Sequence, residues 1–155
     1  MKYKLIRVVR PFEALLDAFE GNIRPNDKRE LLAANTSVRE ELEDSIHCAA
    51  ECWVVVTEDD EPLVIFGRTP VVGHAGNLIW CIGTNKLQDF WFPFIRVSRK
   101  ILRKWAHEHG VLYNAVGSFN TESMRWLSWL GASFGQTIEM GGEEFVCFEL
   151  YEEDM

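Results

Sequence analysis

The spacing of apolar residues changes period along the chain, and the changes predict its elements. Residues 3–9 form a β-rich run with Leu5, Ile6, Val8 and Val9 as the apolar positions. Pro11 follows, at a place suited to the first turn of a helix. Phe12, Leu15, Leu16 and Phe19 then recur at helical spacing until Gly21 or Asn22 stops them. A second short helix is predicted over residues 27–34, ending at Asn35. Ser37 and Glu40 make a capping-box pattern for a third, which runs to about residue 50 and buries Leu42 and Ile46.

Beyond Cys52 the pattern turns to strands. Residues 53–57 and 63–67 are continuous β runs separated by the polar turn Glu58-Asp59-Asp60-Glu61-Pro62, which reads as a hairpin. A glycine-bearing loop at 70–76 leads to the strand Leu78-Ile79-Trp80-Cys81-Ile82, broken at Gly83. A long helical pattern then spans 87–105, with Leu87, Phe90, Phe94, Val97, Ile101 and Trp105 on its apolar face and Gly110 as its stop. Residues 111–116 are another strand. Asn120 can cap a helix carrying Met124, Leu127 and Leu130, flanked by Trp126 and Trp129 and closed by Gly131. Two final strands, 132–140 and 145–151, are joined through Gly141-Gly142-Glu143. The fold class is therefore α/β: one domain over residues 1–151, with a mixed central sheet of about six to seven strands flanked by helices. Residues 152–155 read as an acidic disordered tail. The unit at 77–110 is central, because a strand, short turn and helix N-terminus make a natural anion site.

Composition narrows the function classes. A chain of 155 residues can bury a core without staples, and a net charge of −8 disfavours non-specific binding to nucleic acid or an anionic membrane. Six tryptophans and ten phenylalanines leave some rings for a protein interface. Three of the four cysteines stand in apolar contexts and read as buried hydrophobes. The first residues carry no signal-peptide pattern, and no apolar run nears the ~20 residues of a membrane span, so the cytoplasm is the expected location.

Several constellations invite chemistry. The acidic turn at 58–61 lacks the ligand spacing of a calcium loop and reads as a solvated hairpin tip. His47, Cys48 and Cys52 would need a further ligand from His74 or Cys81 to hold zinc, so no metal is expected. Cys81 with His74 or His107 as base would require a thiolate inside an apolar strand, where it is disfavoured. Arg96, Arg99, Lys100 and Arg103 share one face of the long helix with His107. That stripe reads either as a solvated outer face, with cations favoured toward the helix C-terminus, or as a docking surface for an acidic partner or nucleic acid.

The element order resembles the GNAT (GCN-related N-acetyltransferase) fold over nearly the whole chain. The most specific local match is Asn120, Ser123, Trp126-Leu127 and Gly131-Ala132, where GNAT families show Asn, a small residue, Leu-Tyr and Gly-Phe. The chain is more closely similar to GNAT-like proteins of short-tailed bacteriophages grouped with an internal virion protein. That similarity rests on Cys52-Trp53, Leu63-Val64-Ile65-Phe66-Gly67, Ile82-Gly83-Thr84 and the run from Asn120 through Trp126 and Trp129 to Gly131. It implies a phage-encoded protein acting in virion assembly or genome ejection, in the infected host's cytoplasm or with the virion. Its partners would be phage or host proteins, with a homo-oligomer allowed.

The resemblance also implies a test for the cofactor. Acetyltransferases of this fold hold the pyrophosphate of acetyl-CoA on a Q/R-x-x-G-x-G/A cradle, where glycines admit the phosphates. The compatible register is Gln88-Asp89-Phe90-Trp91-Phe92-Pro93, which puts Trp91 and Pro93 at the two small positions and removes one backbone donor. The tyrosine that often protonates the leaving thiolate falls on Leu127. Glu51, Glu61 and Glu139 are the carboxylates available as a base. The expected function is a non-catalytic GNAT-like protein acting through protein contacts, with no catalytic residue and no cofactor. The alternative is an acetyl-CoA-dependent N-acetyltransferase with a remodelled pyrophosphate loop, in which Ile82, Gly83, Thr84, Gln88 and Asn120 would bind the cofactor.

Overall fold

The computed structural model describes residues 2–35 and 37–155. Its elements run β1 (Tyr3–Arg7), α1 (Glu13–Phe19), α2 (Pro25–Ala34), α3 (Val38–Cys48), β2 (Glu51–Thr57), β3 (Pro62–Pro70) and β4 (Asn77–Gly83). A 3-10 turn (Leu87–Phe90) leads to α4 (Trp91–His109), β5 (Leu112–Gly117), α5 (Thr121–Leu130), β6 (Ser133–Met140), β7 (Glu143–Leu150) and a last 3-10 turn (Glu152–Asp154). The strands form one seven-stranded sheet in the order β1-β2-β3-β4-β5-β7-β6, an α/β architecture of the GNAT type. Contacts divide the chain into two compact units, Met1–Thr69 with Trp80–Phe90, and Pro70–Ile79 with Trp91–Met155.

In the first unit β1 and β3 flank β2, both antiparallel, with Leu5 opposite Val55 and Val54 opposite Ile65. Val54, Val55 and Val56 and the run Leu63 to Phe66 are all buried, which is why their sequence is continuously apolar rather than alternating. Phe12, Leu16, Phe19, Leu31, Leu42 and Ile46 from the three helices complete this core. Pro25 occupies the first turn of α2, so the helix starts two residues before the predicted 27. Ser37 caps α3 by accepting the Glu40 N–H at 3.2 Å.

In the second unit α4 buries Phe94, Ile95, Ser98, Leu102, Trp105 and Ala106. This corrects the predicted stripe: Val97 and Ile101 are only half-buried, and Leu87 and Phe90 lie outside α4. The cause is the 3-10 turn, whose three residues per turn break the helical phase before Trp91. Ser98 is buried because it serves a ring. Trp126 Nε1–H donates to its Oγ at 3.0 Å, while the Trp126 ring stacks on Phe94 with centroids 5.5 Å apart. Asn120 caps α5 by accepting the Ser123 N–H at 3.2 Å, and Gly131 closes it with φ 93°.

The acidic C-terminus is ordered where the sequence suggested a disordered tail. Glu152 meets His107 Nδ1 at 2.9 Å, and the Asp154 carbonyl rests against Gly131, where a Cβ would lie 2.5 Å away. A glycine at that cap lets the chain end fold back. Among the described residues, no helix is long and apolar enough to cross a membrane.

Candidate functional site: the corner after β4

β4 ends at Gly83, and the chain leaves it through a closed corner. The Gly83 N–H donates to Asp27 Oδ2 at 2.7 Å, and Arg24 Nε–H donates to the same oxygen at 2.7 Å. Asp27 is 1% exposed. The Arg24 N–H returns a bond to the Gly83 carbonyl at 3.0 Å, and Ile23 bridges Thr84. A buried carboxylate is tolerable here because it receives both a cation and a backbone donor. Gly83 is a packing glycine: a Cβ would lie 2.8 Å from Leu87 Cδ2 and 3.0 Å from Arg24 Nε.

The next donors are also engaged. Thr84 N–H bonds the Leu63 carbonyl at 2.9 Å, and its Oγ1–H bonds the Pro62 carbonyl at 2.9 Å. Leu87 N–H bonds Thr84 O and Asp89 N–H bonds Lys86 O, each at 3.1 Å. Leu87 and Phe90 are fully buried, so the turn is anchored by its own side chains. An anion site needs outward N–H groups and room beside them. The segment after β4 has its donors bonded internally, and Pro93, which has no N–H, follows in the first turn of α4. Trp91 packs on Phe94 with ring centroids 6.4 Å apart. These residues do not fit the pyrophosphate of acetyl-CoA in the way the resemblance implies.

The candidate cofactor residues are thus placed as follows. Gly83 and Thr84 spend their N–H groups on Asp27 and Leu63, Ile82 is buried, and Asn120 is a fully buried helix cap. Gln88 alone of the five is exposed. A shallow hollow of about 330 Å³ lies beside Thr84, lined by Asn22, Glu61, Pro62, Asn85 and Lys86, and the Lys86–Glu61 ion pair spans part of it.

Other candidate chemistry is equally occupied. Burial pushes the Cys52 thiol up to about 12, and burial holds the Cys81 thiol still further above its ordinary range, so both stay protonated at neutral pH. His74 stacks on Tyr113, and His107 bonds Glu152. His47 Nδ1 meets Arg10 at 2.6 Å, Cys48 is exposed, and Cys52 is buried in β2. Among the described residues no group of three His, Cys, Asp or Glu side chains is placed to hold a metal. Glu51 accepts from Trp53 Nε1 at 2.7 Å and from Arg68 Nε at 3.3 Å, a structural pairing within the sheet. Leu127 is buried in α5, and Glu139 lies on the exposed strand β6.

The basic stripe of α4 is split. Arg96, Lys100 and Arg103 are exposed, whereas Arg99 is half-buried and donates through Nη2 to the Trp129 carbonyl at 2.6 Å. That bond caps the C-terminal end of α5 with a cation, where the helix dipole favours one. Beside this helix end the Trp129 side chain is 54% exposed, and in the first turn of α4 Phe92 is 66% exposed.

Sequence reasoning missed two features. One is the Arg24–Asp27–Gly83 set, whose only linear signal is an acidic residue in the first turn of a helix. The other is Asn114. β4 and β5 pair in parallel at Asn77↔Leu112 and Leu78↔Tyr113. The Asn114 side chain then takes over, donating to the Ile79 carbonyl at 2.7 Å and accepting the Ala115 N–H at 2.7 Å.

The sequence matches no family profile and no curated protein. Solved structures match it from end to end. A chimera of spermidine N-acetyltransferase SpeG from Vibrio cholerae and hSSAT superimposes with a TM-score of 0.70 at 12% identity, covering 99% of this chain and 97% of that one. Spermidine N-acetyltransferase from Vibrio cholerae in complex with CoA and spermine gives 0.62 at 12% identity, over 98% and 96% of the two chains. An assigned acetyltransferase from T. thermophilus gives 0.71 at 16% identity, over 99% and 88%. Identities this low carry the fold and leave the activity to the residues of the site.

Proposed function

We propose that this chain is a GNAT-fold protein that works by protein contacts rather than by acetyl transfer. The observation that carries this reading is the closed corner after β4. Asp27 takes the Gly83 N–H, the following turn bonds its own donors, and Leu87 and Phe90 fill the space with buried side chains. The exposed cations Arg96, Lys100 and Arg103 on α4 offer a contact surface for an acidic partner. The finer setting, a phage protein in virion assembly or genome ejection, rests on the resemblance of residues 120–131 alone.

A second reading is an acetyl-CoA-dependent N-acetyltransferase with a remodelled pyrophosphate loop. The full-length likeness to N-acetyltransferases supports this reading more directly than the first, whereas the local geometry supports the first. One experiment separates them. Acetyl-CoA is titrated into the protein by calorimetry while thermal unfolding is followed in parallel. The contact reading expects no saturable heat and no rise in Tm. A micromolar Kd with a matching rise in Tm overturns it, because a ligand held only by the native state must stabilise that state.

A further inference from the structure

We propose that the free edge of β6 takes up an extended, basic polypeptide segment as an added strand. β6 is the last strand of the sheet, paired only through β7, and every one of its eight residues is exposed. Edge strands are ordinarily blunted by Lys, Pro or inward-pointing charge, because unpaired N–H and C=O groups template another strand. Ser133–Met140 contains no Lys, Arg or Pro. Its one protection is a bulge between Phe134 and Thr137, which confines regular pairing to the stretch from Thr137 to Met140.

The register shows what the occupant must look like. Glu139 lies directly opposite Glu144, and neither carboxylate has an ion-pair partner among the described residues. Like charges facing one another across a ladder repel. Thr137 shares their face, while Ile138 and Met140, 40% and 38% exposed, stand on the other. A strand laid along this edge therefore meets carboxylates on one face and apolar side chains on the other. The matching segment alternates Lys or Arg with an apolar residue, and a cation opposite Glu139 sits beside both carboxylates. Charge on a wider scale points the same way: after Arg125 the chain has seven carboxylates and no Lys or Arg. A second copy of the same edge would bring Glu139 and its neighbours against another acidic hairpin, so it is a poorer occupant. This mode is strand addition, in which main-chain bonds give affinity and alternate side chains give specificity. It stands whether or not a cofactor binds after β4.

The test uses a fluorescein-labelled nine-residue peptide alternating lysine and valine, titrated by anisotropy against the whole protein. Saturable binding is expected. Glu139→Lys and Glu144→Lys should each weaken it at least tenfold, and circular dichroism should show both variants folded, since both sites are exposed and the change removes a repulsion. A peptide N-methylated on the alternate amides that face β6 should also bind at least tenfold more weakly. Equal binding of the N-methylated peptide overturns the proposal, because charge alone would then suffice. Absence of binding overturns it too. So does a dimer, seen by sedimentation, that Ile138→Lys dissociates, since the edge would then belong to a second copy.

Discussion

Replacing Asp27 with alanine tests the architecture of the corner most directly. The carboxylate is buried, and one oxygen accepts both the Gly83 N–H and Arg24 Nε–H at 2.7 Å. Removing it takes a carboxylate from a buried guanidinium and an acceptor from a buried amide. Breaking one partner of a buried ion pair costs about 3–5 kcal/mol, and a buried donor left without its acceptor costs about 1–3 kcal/mol. The two losses share one oxygen and are not additive, so a total of about 3–5 kcal/mol is expected for Asp27→Ala. A domain of this kind has roughly 5–15 kcal/mol of stability, so the loss is a large share of it. Urea unfolding should show a lower midpoint with an unchanged slope, and the Gly83 amide should lose its protection from hydrogen exchange. Asp27→Asn keeps an acceptor for Gly83 and should cost less. The double variant Asp27→Ala with Arg24→Met should recover part of the loss, because an apolar replacement leaves no buried charge. A loss below about 1 kcal/mol for Asp27→Ala, with Gly83 still protected, would refute the reasoning.

Three further outcomes follow from the same packing. Gly83→Ala places a methyl 2.8 Å from Leu87 Cδ2 and should lower stability by about 1–3 kcal/mol; adding Leu87→Ala should leave the pair less destabilised than the sum of the single changes. Gly131→Ala meets both a left-handed φ of 93° and the Asp154 carbonyl, so removing residues 152–155 should relieve only the clash, as differential scanning calorimetry of the variants would show. Cys52 titrates near 9.0 when unfolded and is pushed by burial up to about 12 when folded. The folded state therefore holds its proton longer. The stabilisation is complete below the unfolded value and falls as pH rises from about 9 toward 12, by at most ~1.4 kcal/mol per pH unit. Cys52→Ala should remove that slope from urea denaturation measured across alkaline pH.

Much of the fold was legible because the signals are local. Ser37 and Asn120 cap the helices they were expected to cap, Gly131 stops α5, and the unbroken apolar runs of β2 and β3 are buried throughout. The bulk at Trp91 and the missing donor at Pro93 could also be read from residue type alone, since both follow from side-chain volume and ring chemistry. The phase of α4 could not, because nothing in the spacing of Leu87, Phe90 and Phe94 announces a 3-10 turn before the helix. Nor could the burial of Ser98, which depends on a tryptophan from α5.

What the sequence by itself determined is the element order, the fold class and the poverty of glycine after Gly83, all of which follow from period, caps and residue volume. Only the tertiary structure decided how the corner is closed. Asp27 and Gly83 stand 56 positions apart, and their bond exists because α2 delivers a carboxylate to the end of β4. It also decided that Arg99 caps a neighbouring helix instead of joining Arg96, Lys100 and Arg103, and that β6 keeps an open edge. Each of these depends on which groups meet across the fold, which no spacing along the chain encodes.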